Sequence, residues 1–195
     1  MKKRILCLLA GIILISLGTA ICKETALGVD PFNAFCIAIS EVISLSLGTT
    51  IIIVNSILLL IIFYTNILYI GIGTLITMFS VGYFISFFNW LLPRNPFDLL
   101  SINNIFIFIL GMIVMCFGIA LYIESELGLV PYDCFSLILS EKFLGKYFII
   151  RIIMDGIVSI LAILLGGPIS LGTIILSLGL GPLIDYFRRS IRAIM

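Results

Sequence analysis

ESELGLVPYDCFSLILSEKFLGKYFIIRIIMD, residues 124–155, holds most of the charge found between the two ends of an otherwise apolar chain. A near copy lies one hundred residues earlier. At that offset Gly11 meets Gly111, Gly18 meets Gly118, Ala20 meets Ala120 and Glu24 meets Glu124. The match runs on through Leu27-Gly28 and Leu127-Gly128, Pro31 and Pro131, Phe35 and Phe135, then Ser40-Glu41 and Ser140-Glu141. Gapless alignment of Gly, Pro and Glu together points to an internal duplication, repeat one over 5–93 and repeat two over 105–192.

With 195 residues, 62% hydrophobic and only 11% charged, and a mean hydropathy of +1.34, the chain carries too much apolar surface for water to be its solvent. The expected fold is all-α: a polytopic helical bundle forming a single transmembrane domain over 1–195, each repeat holding three long helical segments and one short one. Lipid bilayer is the first partner. A net charge of +1 without a basic face excludes nucleic acid.

Cys7, Cys22, Cys36, Cys116 and Cys134 show no C-x-x-C spacing, and no histidine exists to complete a zinc site or a Cys/His pair. They read as small buried hydrophobes, and no metal or cofactor is expected. The N-terminus has a charged start like a signal peptide, but its apolar run is long enough to span and no A-x-A site follows, so it is expected to stay as the first helix.

Taken in order, Ile5 to Cys22 spans, with Gly11 and Gly18 on one face, a seam repeated by Gly111 and Gly118 that lets a neighbouring helix come close. Asp30 is an N-cap and Pro31 the first helical residue. The short helix 32–47 bears Asn33, Ser40, Glu41 and Ser44 as a loose polar stripe, and Gly48 turns into the span from Thr49 to Tyr64, with Asn55 inside. After a turn at Thr65 to Tyr69, Ile70 to Leu92 spans, and the segment from Pro93 to Asn104 joins the repeats. The second half runs likewise: a span from Ile105 to Ile123, a short helix at 132–144 with Asp133, Ser136 and Ser140 on one face, and a span from Phe148 to Leu165 containing Arg151 and Asp155. A last span, Ile169 to Phe187, follows.

Lys2, Lys3 and Arg4 at one end and Arg188, Arg189 and Arg192 at the other put both termini in the cytoplasm, so the number of spans is even. If the short helices cross, there are eight spans and the repeats are parallel. If they do not, there are six, the repeats are inverted, and Arg94 joins Lys23 outside. Eight is preferred, because helix 32–47 is apolar on most of its circumference and lacks the broad charged face of an interfacial helix. Six has the merit that short interrupted helices at matching places in inverted halves are a transporter's usual way to build a midplane site.

Intramembrane ionisable groups need partners, so Asp133, Arg151, Asp155, Asn55, Glu41 and Glu141 are the candidate ligand-binding residues for an unidentified ion or polar solute. Arg151 and Asp155 are one turn apart and form a natural pair, which serves equally as a structural clamp. Glu41 and Glu141 sit near helix C-termini, where the dipole disfavours them. Glu24 and Glu124 are placed at the outer face, solvated or ringing an entrance. No histidine, phosphate-cradling Gly-Lys loop or G-x-S-x-G occurs, so no catalytic residue and no enzyme activity is expected.

ELGLVPYDCFSLILS, the step from Arg151 to Asp155, and LLGGPISLGTIILSLGLGPLIDYF resemble the YczE/YyaS/YitT group of bacterial multi-pass membrane proteins, most of all its YczE-like members. Val130 stands where such members have a second Gly, and Asp155 where Glu is more usual. The resemblance implies an integral membrane protein of the bacterial cell membrane and brings no activity with it. From the residues themselves, a small transporter-like permease with a site between the repeats comes first. The alternatives are a non-transporting membrane partner or assembly factor, which would use the glycine seam for docking, and a substrate-capture subunit of a larger importer. A homo-oligomer fits any of the three.

Overall fold

Proline at the first helical position and a carboxylate one residue earlier start a helix where the sequence places one. In the computed structural model, which describes residues 2–25, 27–65, 70–92, 102–143 and 146–193, Asp30 is extended and its Oδ1 accepts from the Asn33 backbone N–H at 3.1 Å. The helices are α1 (Lys2–Glu24), α2 (Pro31–Ile43), α3 (Leu47–Thr65), α4 (Ile72–Leu91), α5 (Ile102–Glu124), α6 (Pro131–Lys142), α7 (Tyr147–Leu164) and α8 (Leu171–Arg192), with no strand among the described residues. The all-helical membrane class expected from composition is what the chain forms.

Six helices, all but α2 and α6, are long and apolar enough to cross a membrane. At 1.5 Å per residue, the 13 residues of α2 and the 12 of α6 reach only about 20 Å and 18 Å against a hydrocarbon core of about 30 Å. The preference for eight spans therefore gives way to six. An apolar circumference misled because α2 is sheltered by protein: it packs against α7 and α3 rather than facing lipid alone.

Direction settles the same point. On α1 and α5 the contacts run in opposite senses: a Cβ at Gly11 would lie 2.8 Å from the Gly118 carbonyl oxygen, and one at Gly18 would lie 2.6 Å from that of Gly111. Arg4 pairs with Glu126 and the Cys22 thiol lies 3.7 Å from the Phe108 carbonyl. The two helices are antiparallel, whereas eight spans would have required them parallel. Around this central pair α4 packs on α1, α8 on α5, α2 on α7 and α6 on α3.

Two connections tie the bundle across. The Leu27 carbonyl accepts from Gly172 N–H at 3.0 Å and from the Ser170 hydroxyl, while the Leu127 carbonyl accepts from Gly73 N–H at 2.8 Å. Each therefore satisfies an otherwise orphaned N–H in the first turn of α8 or α4. Gly28 and Gly128, next along, have φ of 143° and 116°, which L residues rarely adopt, so glycine lets the chain turn there.

The first turn of α1, the last of α8 and the C-terminus of α5 share one end of the bundle, since Arg188 and Arg192 both donate to Glu124, at 2.8 and 2.7 Å. Glu124 is therefore not at the face opposite the termini and not solvated: it is buried and doubly paired. The error follows from the parity, because six spans reverse α5 relative to α1. Glu124→Ala is expected to destabilise the protein by about 2 kcal/mol, the scale of a lost charged hydrogen-bond pair, read as a lower thermal midpoint together with faster proteolysis after Arg188. The exposed Arg4–Glu126 pair should contribute at most about 1 kcal/mol.

Two smaller differences are local. The break after α2 is made at Ser44, whose φ is 54°, and Gly48 lies inside α3. The turn expected at 65–69 falls outside the described residues from 66 on, as do residues 93–101 of the segment joining the halves, including Arg94.

Candidate functional site

Every helix contributes to a cavity of about 80 Å³ in the middle of the bundle. The N-terminal turns of α2 and α6 bring Asn33, Tyr132 and Asp133 to it, with Asp30 just before α2. Residues of the longer helices complete the wall: Thr19 of α1, Asn55 of α3, Thr77 of α4 and Arg151 of α7, with apolar side chains from α5 and α8. The short helices thus point their positive ends inward, and both have a carboxylate within their first turn or cap to answer the dipole.

Arg151, Asp133 and Asp155 form one buried cluster. The Arg151 guanidinium donates to Asp133 Oδ1 through Nη1 and to Asp155 Oδ2 through Nε at 3.3 Å. The Tyr122 hydroxyl donates to Asp133 Oδ2, and that of Tyr132 to Asp155 Oδ1 at 2.6 Å. All four carboxylate oxygens of the pair consequently have a donor. The guanidinium lies over the Tyr132 ring, 4.8 Å from its centroid, and that ring stacks on Phe32 at 4.7 Å. So complete a set of partners is what a buried ionic group needs, since any unmatched member would carry its desolvation cost alone.

Two polar groups on the cavity wall are less well served. Asp30 receives both its side-chain hydrogen bonds from Asn33, through N at 3.1 Å and Nδ2 at 2.6 Å, and no ion pair among the described residues includes it. Asn55, 1% exposed, has a side-chain oxygen with no hydrogen-bond partner among the described residues.

Of the residues singled out in the sequence, Asp133, Arg151 and Asn55 line the cavity and Asp155 stands directly behind Arg151. Glu41 and Glu141 are exposed, each ten residues past the proline that starts its helix and so about 15 Å from the N-terminal turns that line the cavity. Gly11, Gly18, Gly111 and Gly118 pack helices as expected, but against each other. Sequence reasoning used Asp30 only as a cap and passed over Tyr122 and Tyr132. A signal for Tyr132 was present: a tyrosine beside Asp133 at the start of a short intramembrane helix is a hydroxyl with few partners other than an acid.

A family model described as "Family of unknown function (DUF6198)" matches residues 2–189. The chain is similar to "Uncharacterized membrane protein YczE" of Bacillus subtilis (strain 168), 30% identical over 181 residues, covering 91% of this chain and 81% of that one. It is also similar to "Uncharacterized protein YyaS" of the same organism, 26% identical over 168 residues, 85% of this chain and 82% of that one. An "Uncharacterized protein" of Haemophilus influenzae is 25% identical over 185 residues, 95% of this chain and 83% of the relative. No solved structure matches.

Proposed function

The chain belongs to the family of unknown function DUF6198 and is an integral membrane protein, and from that premise we propose that it is a small permease whose path for an ion or polar solute runs between two inverted repeats. One observation carries the reading: the polar cavity lies where the N-termini of two half-length helices meet side chains from all six spanning ones. Half-length helices ending at a midplane site, one per inverted half, are the arrangement by which alternating-access proteins bind a solute.

The packing supports the duplication as well. The pairs α1 with α4 and α5 with α8, and α2 with α7 and α6 with α3, exchange when each helix is replaced by its counterpart in the other half, while α1 and α5 pair with each other. Such a two-fold axis in the membrane plane lets the halves rock against a fixed centre. The cluster of Lys2, Lys3, Arg4, Arg188, Arg189 and Arg192 at one end supports a cell-membrane protein with both termini cytoplasmic. Asp133, Arg151, Asp155 and Asn55 are the assigned site residues, with no bond-making role. A partner or assembly factor would have to dock through a surface other than the glycine seam, which α1 and α5 themselves occupy.

Cysteines introduced at Thr19 and Asn55, in a chain whose own five cysteines are replaced, test the path without knowing the solute. In right-side-out and inside-out vesicles, each is expected to react with a membrane-impermeant thiol reagent from both faces. Reaction from one face only, or from neither, would remove the permease reading.

A further inference from the structure

We infer that the cavity binds one small monovalent cation, of the alkali-metal or ammonium type, through the carboxylate of Asp30 and the side-chain oxygen of Asn55. The inference rests on the reading of the cavity as a binding site and narrows its ligand.

Charge gives the sign. At the site stand three carboxylates, Asp30, Asp133 and Asp155, and one guanidinium, Arg151, a formal balance of 1 − 3 = −2. The two inward-pointing helix N-termini supply about half a positive charge each, leaving roughly one negative charge uncompensated. A buried site with that residue of charge is stabilised by a single positive ion and disfavours an anion.

The distribution of partners gives the place. Arg151 is engaged by Asp133 and Asp155, whose four oxygens already have donors, so neither acid is free for a ligand. Asp30 takes its hydrogen bonds from neutral Asn33 and forms no ion pair among the described residues, and the orphaned oxygen of Asn55 is a buried acceptor lining the same cavity. A buried acceptor left unmatched is costly, and a cation or an N–H⁺ donor answers it. The hydroxyls of Thr19 and Thr77 add neutral oxygens nearby.

Size and donor type exclude other cations. A cavity of about 80 Å³ admits an alkali ion or ammonium with a water or two and no bulky organic cation. Among the described residues no three Cys, Asp or Glu converge to hold a metal ion, whereas hard divalent ions seek several carboxylates or keep their water shell.

The test uses purified full-length protein in nanodiscs at fixed pH and ionic strength. The thermal midpoint is titrated with sodium, potassium or ammonium chloride against N-methyl-D-glucamine chloride, too large to enter. At least one small cation is expected to raise the midpoint saturably, and the three salts separate the alkali from the ammonium class. Asp30→Asn is the decisive variant, because asparagine still caps α2 and only the charge is lost. It should weaken the apparent Kd at least tenfold, as should Asn55→Leu, while Asn55→Asp strengthens it and the exposed Glu41→Gln leaves it unchanged. Size-exclusion profiles establish that each variant is folded.

A midpoint indifferent to every small cation, or an Asp30→Asn protein that binds as tightly as its parent, overturns the inference. Thiol labelling from both faces without a cation-dependent midpoint would sink the cation and leave the permease. A saturable cation shift that Asp30→Asn abolishes, with labelling from one face only, would do the reverse.

Discussion

Gly18→Ala is expected to leave little folded protein in the membrane, although it adds a single methyl group to a helix in which alanine is intrinsically preferred. The added Cβ would lie 2.6 Å from the Gly111 carbonyl oxygen and from the Met115 backbone nitrogen. These are backbone atoms of α5, which no rotamer change can move aside. Both helices would have to separate along their length, breaking contact at Gly11 against Gly118 as well, where a Cβ would lie 2.8 Å from the carbonyl oxygen. Overpacking of a tight contact costs on the order of 3 kcal/mol, and in lipid no hydrophobic effect between helices offsets a lost close approach. Gly156→Ala in α7 is the control, because a Cβ there meets nothing within 4 Å. It should be neutral or stabilise by up to about 1 kcal/mol through helix propensity. Thermal midpoints and monodispersity in detergent measure both; a Gly18→Ala protein as stable as Gly156→Ala would mean that α1 and α5 are not this close.

Much of this arrangement was legible in the sequence, and what was not has a physical reason. The helices could be read because apolar runs, Pro31, Pro131 and Asp30 act locally. The glycine seam could be read because spacing alone puts Gly11 and Gly18 on one face. What the seam meets could not: a duplicated seam fits a parallel or an antiparallel partner equally, and only the crossing number of the short helices decides. That number turned on the environment of α2, an apolar circumference against protein being indistinguishable from one against lipid. The misplacement of Glu124 descends from the same ambiguity. At the site, Arg151 and Asp155 were visible because they share a helix, and Asp133 because it sits at the head of another. Tyr122 was invisible, since it reaches Asp133 from the end of an apolar helix where its hydroxyl looks interfacial.

Arg151→Met should be the most damaging change at the site itself. It removes one cation from between two buried carboxylates, leaving Asp133 and Asp155 with only the hydroxyls of Tyr122 and Tyr132. Breaking a buried ion pair from one side costs about 3–5 kcal/mol, because the surviving charge keeps its desolvation penalty without its partner. The triple variant Arg151→Met, Asp133→Asn, Asp155→Asn is expected to recover most of that loss. Its two amides still accept from the tyrosine hydroxyls, and replacing a whole buried ionic set by neutral groups is often near neutral. Recovery of the thermal midpoint separates two roles that stability alone confounds. If the triad is only a clamp, the triple variant regains both its fold and the access of thiol reagents to Asn55→Cys from each face. If the triad instead holds α6 on α7 within the second half during opening, the fold returns and two-sided access does not, since α6 and α7 then lose the charge that draws them together. Failure of the triple variant to recover any stability would show that the three side chains are not the closed set their hydrogen bonds describe.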